Sequence, residues 1–319
     1  MAIDAATLRS DFSGFLTPEL SAPIFSQARQ SSVVQQLARQ VPLGAEGKSI
    51  PVVTGKPTAG WVDEGGQKPA SKGSRTLKTI TPKKLAAIVV TSEEVVRANP
   101  GGYVTDLRAD LAEAFGLAFD AAALHDKLAD GTGTGPFSTY LDQTTKVVEV
   151  GSHTTAQGGV HADLNDALSL LVSDRDANGR GKRLTGWAFD SVFEPIFNAQ
   201  TDSTGRPLFI DSPVAVETAG VVRIGRTMGR PSFIGDGVGT VDGSTVLGYA
   251  GDWTQTAWGV VGGINYSVSN QATVTIDGEL VSLWENNLVA VRAEAEYGWL
   301  VNDVAAFVKF TNTVPTASA

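Results

Sequence analysis

Residues 103–128 constrain the fold more than any other stretch. Apolar side chains recur there at Val104, Leu107, Leu111, Phe115, Ala118, Ala122 and Leu128, which draws one apolar stripe along a helix. Both ends are punctuated, by Asn99-Pro100-Gly101-Gly102 before and Gly131-Thr132-Gly133-Thr134-Gly135-Pro136 after. At 1.5 Å per residue such a helix runs about 39 Å, well beyond the usual globular helix. A helix that long serves as a strut across a molecule or as one member of a bundle, and no equally long partner pattern occurs elsewhere in the chain.

The residues around it read as mixed α and β. The first 45 carry breakers at Pro18, Pro23 and Pro42 and look like an arm, with a modest helix expected over 23–39. Runs rich in β-branched residues at 48–53 and 77–91 flank a stretch rich in Gly, Pro, Ser and Lys at 54–74, which predicts one long two-stranded hairpin. An isolated hairpin is marginal in water, so this one must lie on something else. Asp163 is expected to cap a helix with Leu164, Leu168 and Leu171 on one face, ending near 178–181. A strand over 185–189 leads into a capping box at Ser191 and Glu194 that starts a helix reaching Gln200, with Pro195 in its first turns. Short strands follow at 221–228, 246–249, 258–261 and 264–267. One or two helical turns are expected at 279–287, then an alternating strand at 288–299 and a last strand at 305–310.

With 319 residues, 42% hydrophobic and 18% charged, the chain can bury a sizeable core. Its apolar runs, such as 85–90, are much too short to span a bilayer as helices. The first residues show no basic segment followed by an apolar one, so the expectation is a product that stays in the cytoplasm where it is made. There is no cysteine, which removes disulfides, thiolate metal sites and cysteine nucleophiles together. A net charge of −9 argues against a nucleic-acid reader, because such affinity rests on Lys and Arg neutralising phosphates.

Charge is unevenly spread. Over 46–91, eight bases (Lys48, Lys56, Lys68, Lys72, Arg75, Lys78, Lys83, Lys84) face three acids (Glu46, Asp63, Glu64), a net of +5. Over 92–130, eight acids (Glu93, Glu94, Asp106, Asp110, Glu113, Asp120, Asp126, Asp130) face Arg97, Arg108 and Lys127, a net of −5. Two readings stand: solvated faces of opposite sign, or a basic hairpin of one copy lying on the acidic helix of the next.

Catalytic patterns are missing. Gly44-Ala45-Glu46-Gly47-Lys48-Ser49 has two residues between its glycines where a phosphate loop needs four, and Ile50-Pro51 follows where a helix must open. The glycines of 131–135 and 235–239 read as turns, since neither run joins a strand to a helix. His125, His153 and His161 form no zinc pattern, and no GxSxG elbow presents a serine. The six tryptophans, at 61, 187, 253, 258, 284 and 299, are scattered instead of interleaved with a basic patch, which points to core or interface packing. No enzyme, cofactor or metal is expected.

Several segments then carry a family resemblance by their order and spacing. They are Thr91-Ser92-Glu93-Glu94-Val95 before the long helix, Gly205-Arg206-Pro207-Leu208-Phe209, and Gly248-Tyr249-Ala250-Gly251-Asp252-Trp253-Thr254 running on to Trp258-Gly259-Val260-Val261. Asn287-Leu288-Val289-Ala290-Val291-Arg292, Tyr297-Gly298-Trp299-Leu300-Val301 and Ala305-Ala306-Phe307 complete the set. Across nearly the whole chain this resembles the major capsid proteins of tailed bacteriophages built on the Hong Kong 97 phage fold.

The resemblance implies an α+β fold with an N-terminal arm (1–45), an extended E-loop hairpin (46–91) and a peripheral domain (92–155 and 279–302) holding the spine helix (103–128). An axial domain (156–278 and 303–312) and a tail (313–319) complete it. The implied function is self-assembly into the pentamers and hexamers of an icosahedral virion head enclosing double-stranded DNA, assembled in the bacterial host's cytoplasm. The DNA contact would be non-specific, and a portal, a separate scaffolding protein and a decoration protein are the further partners implied; a membrane is not. An encapsulin-like nanocompartment shell and an enzyme with an unfamiliar site are the alternatives. Inter-subunit contacts are expected at Lys68, Lys72, Lys78, Lys83 and Lys84 on the basic side and Asp106, Asp110 and Glu113 on the acidic side. Some members of that family weld subunits by a Lys–Asn isopeptide bond, for which Lys68, Lys72 and Asn302 are the candidates here.

Overall fold

The apolar stripe of the long helix finds its partner in a β-sheet. A computed structural model describes residues 32–98, 103–154, 157–175, 180–198, 210–211, 223–239, 246–276 and 278–312. Its helices are α1 (Val33–Leu37), α2 (Glu93–Ala98), α3 (Tyr103–His125), α4 (Gly159–Ser173) and α5 (Glu194–Asn198). Four strands form the first sheet in the order β1 (Arg39–Gln40), β11 (Thr256–Ser269), β14 (Leu288–Val301), β4 (Lys83–Ser92).

Leu107, Leu111, Phe115 and Phe119 of α3 are buried together with Trp258, Tyr297 and Trp299 from β11 and β14. Phe119 sits at the centre, with ring centroids 5.3 Å from Tyr297, 6.1 Å from Trp258 and 6.0 Å from Trp299. The period of 3.6 on α3 and of 2 on β14 thus meet in one core.

α3 stops at His125, three residues before the expected 128. Asp126 adopts φ 56°, its N–H donates to Ala122 O, and Lys127 N–H reaches back to Ala121 O. The bond from Asp126 N–H to Ala122 O is that of an αL cap, with aspartate in the left-handed position that glycine usually takes. The glycine run at 131–135 builds the loop beyond, where Gly135 N–H closes onto Asp126 O at 2.7 Å.

A seven-stranded sheet forms the second layer. Its order is β5 (Val147–Glu149), β15 (Phe307–Thr311), β10 (Val246–Gly251), β6 (Gly186–Phe189), β9 (Arg230–Ile234), β8 (Arg223–Thr227), β7 (Ile210–Asp211). Val160, Leu164, Ala167 and Leu171 of α4 pack on its Trp187, Phe189 and Phe310, with Phe193 stacked on Phe189 at 4.8 Å. Strand β6 is buried at every position, as its continuous apolar run requires.

The two cores join at a polar knot. His125, the last residue of α3, places Nδ1 2.8 Å from Asp142 Oδ2 and Nε2 2.9 Å from Val238 O. Nδ1 also lies 3.1 Å from Tyr249 Oη, so the ring is tied at both nitrogens. Tyr249 Oη donates to Asp142 Oδ1 at 2.9 Å and Lys309 Nζ lies 3.4 Å from the same oxygen. Burial works against ionising Asp142, yet His125, Tyr249 and Lys309 together hold its carboxyl below the usual range. A second tie is Asp120 of α3, fully buried, which accepts from Ser32 Oγ (2.5 Å) and Val33 N–H (2.8 Å) and so caps α1 from another element.

Several expectations need correction. The hairpin pairs β2 (Lys48–Gly55) with β3 (Ser74–Ile80) only, while 83–92 leaves it to pair with β14 as β4. Pro82 lies between β3 and β4, and without an N–H it cannot carry the ladder through. Residues 279–287 are not helical: β12 (Thr273–Ile276) and β13 (Glu279–Ser282) make a second hairpin, followed by turns. The expected strands at 258–261 and 264–267 are one strand, β11, with an irregularity at Gly262 (φ 71°) and Gly263 (φ 153°).

Asp163 does not cap α4 but lies inside it, buried, accepting from Gly151 N–H (2.8 Å) and Ser152 Oγ (2.7 Å). Asp190, not Ser191, caps the turn that leads into α5, taking Val192 N–H at 3.0 Å. The helix expected over 23–39 ends at Leu37 because Arg39 and Gln40 pair with β11; residues before 32 lie outside the described ones, as do 205–209 and the tail at 313–319.

Candidate assembly interface

The β2–β3 hairpin projects from the first sheet with almost no core of its own. Only its foot is buried: Ile80 packs with Leu43 and Leu300, and Ile50 lies against them. This contact falls on the sheet face opposite α3, where Gly259 and Gly298 pair in register. A Cβ on Gly298 would overlap the side chains of Ile80 and Leu43, so paired glycines leave the flat seat on which the hairpin stands. Lys78 fastens the same foot, donating from Nζ to the Asn302 backbone carbonyl at 2.5 Å. Beyond it β2 and β3 are exposed at most positions, and the turn segment between them is exposed throughout.

The expected contact lysines therefore separate into three settings. Lys68 and Lys72 sit in the exposed segment joining β2 to β3, whose neck is held by Thr58 and Ser71 through bonds of 3.1 and 2.9 Å. Lys78 is committed to its own chain. Lys83 and Lys84 belong to β4 instead of the hairpin, and Lys84 pairs with Glu294 on the adjoining strand at 2.9 Å. That hydrogen bond, with Arg292 nearby, holds the Glu294 carboxyl below its usual range.

The acidic side is thinner than a net of −5 implies. Asp120 is buried as a cap and Asp126 closes the helix end, so neither charges an outer face. Asp110 is exposed and Glu113 half-buried on α3, while the side chain of Asp106 lies outside the described residues. Asn302 turns its carboxamide to Gln255 Oε1 at 2.7 Å within the same chain.

Two features outside the expected site stand out. Trp61, at the hairpin tip, is 106% exposed and touches nothing that buries it. Leu280 (79%) and Trp284 (65%) project from the β12–β13 hairpin and the turn after it. Trp187, Trp253, Trp258 and Trp299 are all buried, so the scattered tryptophans divide into four core residues and two that face solvent. The signal for Trp61 was its setting, an aromatic residue inside a Gly, Pro and Lys-rich run that offers it no core.

Among the described residues no group of three or more His, Cys, Asp or Glu side chains could hold a metal ion, and no helix is long and apolar enough to cross a membrane. What the arrangement offers is surface: an extended, weakly supported hairpin with a basic body and an aromatic tip.

Comparison with known proteins accounts for that shape. The model of the Phage capsid family matches residues 13–312. The probable major capsid protein gp17 of Mycobacterium phage D29 is 44% identical over 307 residues, covering 95% of this chain and 92% of the relative. Its namesake in Mycobacterium phage L5 is 43% identical over 323 residues, covering 98% and 94%. A solved chain of Mycobacterium phage Ogopogo superposes with TM-score 0.66 at 24% identity, covering 89% of this chain and 92% of that one, which shows the fold. The mixed helix-and-sheet architecture, with its long helix and projecting hairpin, is the Hong Kong 97-type capsid fold, and the chain belongs to the phage capsid family.

Proposed function

We infer that the chain is a major capsid protein of a tailed phage, a structural component of the virion that works by assembling with copies of itself into a multi-subunit shell. The observation that carries the assembly reading is the β2–β3 hairpin: eight and seven residues of paired strand stand on one small apolar foot. A two-stranded ribbon of this kind gains its stability from a surface to lie on, and the described residues supply none beyond the foot.

In this reading the arm is 1–45 and the E-loop is the hairpin within 46–91. The peripheral domain is 92–155 with 279–302, holding α3, and the axial domain is 156–278 with 303–312, holding α4. Copies gather into pentamers and hexamers around double-stranded DNA in the host cytoplasm, with a portal, a separate scaffolding protein and a decoration protein as further partners. The hairpin of one copy lies across the peripheral domain of the next through Lys68 and Lys72 at its outer end. A protein-filled nanocompartment is disfavoured, since relatives 44% and 43% identical to this chain carry the name of probable major capsid proteins of phages.

Expression of the chain followed by negative-stain electron microscopy tests this. Closed hollow particles are expected; a monodisperse monomer under conditions where its relatives assemble would overturn the reading.

A further inference from the structure

We propose that Trp61 at the hairpin tip of one copy docks on the Leu280 and Trp284 face of the β12–β13 hairpin of another copy, and that this contact fixes where the hairpin ends. The inference rests on the shell reading above and names the anchor residue and its seat. An indole wholly in water is a large apolar surface left uncovered, and tryptophan is the side chain most often found carrying the energy of an interface. The chain exposes further apolar side chains at Leu280 (79%) and Trp284 (65%), on the β12–β13 hairpin and the turn after it, whose other side packs on the first sheet.

Charge selects the pairing. Over 48–80 the hairpin carries six bases (Lys48, Lys56, Lys68, Lys72, Arg75, Lys78) and two acids (Asp63, Glu64), a net of +4. Over 271–287 there are three acids (Asp277, Glu279, Glu285) and no base, a net of −3. Two tips would repel each other, and so would two β12–β13 hairpins; tip on β12–β13 attracts. Because the two surfaces are different places on one chain, the contact is head-to-tail, and head-to-tail contacts close into rings or propagate into lattices instead of stopping at dimers. That is the symmetry a shell requires.

The absence of cysteine makes a clean test. Cysteines are placed beside the anchor and its seat, as Ala59→Cys and Glu285→Cys in the same chain, so that Trp61, Leu280 and Trp284 remain. Two indoles in contact hold their backbones further apart than a disulfide tolerates, so a short bis-maleimide replaces direct oxidation. Assembled shells of the double variant should give a ladder of covalent multimers on a denaturing gel, while either single variant gives monomer. Adding Trp61→Ala should abolish the ladder and raise the concentration needed for assembly about tenfold or more; Trp61→Phe should restore most of both.

Shells that form normally with no ladder would overturn the docking while leaving the capsid reading intact. Multimers from Ala59→Cys alone would overturn it too, since they would place tip against tip. A wild-type chain that forms no shells overturns the capsid reading itself.

Discussion

Asp120 shows how little a residue's type says about its work. Counted along the sequence it is one of eight acids in the segment 92–130; in the fold it is buried and caps α1. Burial pushes its carboxyl up from 3.8 to about 7, against the lowering effect of the bonds from Ser32, Val33 and Val34. The unfolded chain ionises this group near 3.8, while the folded chain keeps the proton until about 7, so the folded state binds the extra proton in between. Stability should therefore fall as pH rises from about 4 to about 7, by on the order of a few kcal/mol, and level off above. Urea denaturation of the unassembled chain at pH 5 and pH 8 should show this loss, and Asp120→Asn, neutral at both, should flatten it. An equal pH dependence in the two proteins would place the titrating group elsewhere.

The knot at Asp142 belongs to the same scale. Asp142→Ala removes the carboxylate to which His125, the Tyr249 hydroxyl and the Lys309 ammonium are tied, which should cost about 3 kcal/mol, as breaking a buried pair from one side does. Thermal unfolding measures it. Neither Asp120 nor Asp142 was legible as a tie, because their partners lie 88 and 107 residues away in Ser32 and Tyr249. Hydrophobic period says nothing about such distances. Asp126 escaped for a different reason: a left-handed cap is normally sought at glycine, and the chain offered a glycine run a few residues on.

Elements were read well where one period held over many residues and poorly where the chain changed partner. The long helix and the 288–301 strand emerged nearly whole, since each buries one continuous face. The β3–β4 break was missed because both strands are rich in β-branched and basic residues; the only local mark is Pro82. The β12–β13 hairpin was mistaken for helix because a four-residue strand beside a run of turns carries too little alternation to declare itself.

The paired glycines under the hairpin foot yield a test on this scale. Gly298→Val should displace Ile80 and Leu43 from their seat and impair assembly, scored by electron microscopy, while hydrogen exchange shows the α3 core still protected. Reversing the outer lysines, Lys56, Lys68 and Lys72 to Glu, should impair assembly at unchanged monomer stability. Lys78 and Lys84 are unsuitable for that purpose, being bound to Asn302 and Glu294 of their own chain. Normal shells from the triple variant would show that the hairpin's charge is incidental.

At the scale of the molecule, two cores are joined by the His125–Asp142 knot; the β2–β3 hairpin stands on one small apolar foot, and the β12–β13 hairpin packs through Ile276 and Leu283 on Val90, Leu288 and Ala290. Composition removed cysteine chemistry without suggesting a shell; the order of the segments carried the family, and the fold carries the reason those segments belong together. Gly298 lies in the Tyr297–Val301 segment, where inward aromatics pack on α3 and the outward glycine seats the hairpin. What no single sequence holds is the neighbour that completes the surface.

The central claim is that the β2–β3 hairpin is finished by another copy. Hydrogen exchange over residues 48–80, compared between unassembled chains and shells, tests it most directly. The account predicts rapid exchange in the unassembled chain and strong protection in the shell, with β14 protected in both. Equal protection of the hairpin in the two states would contradict it.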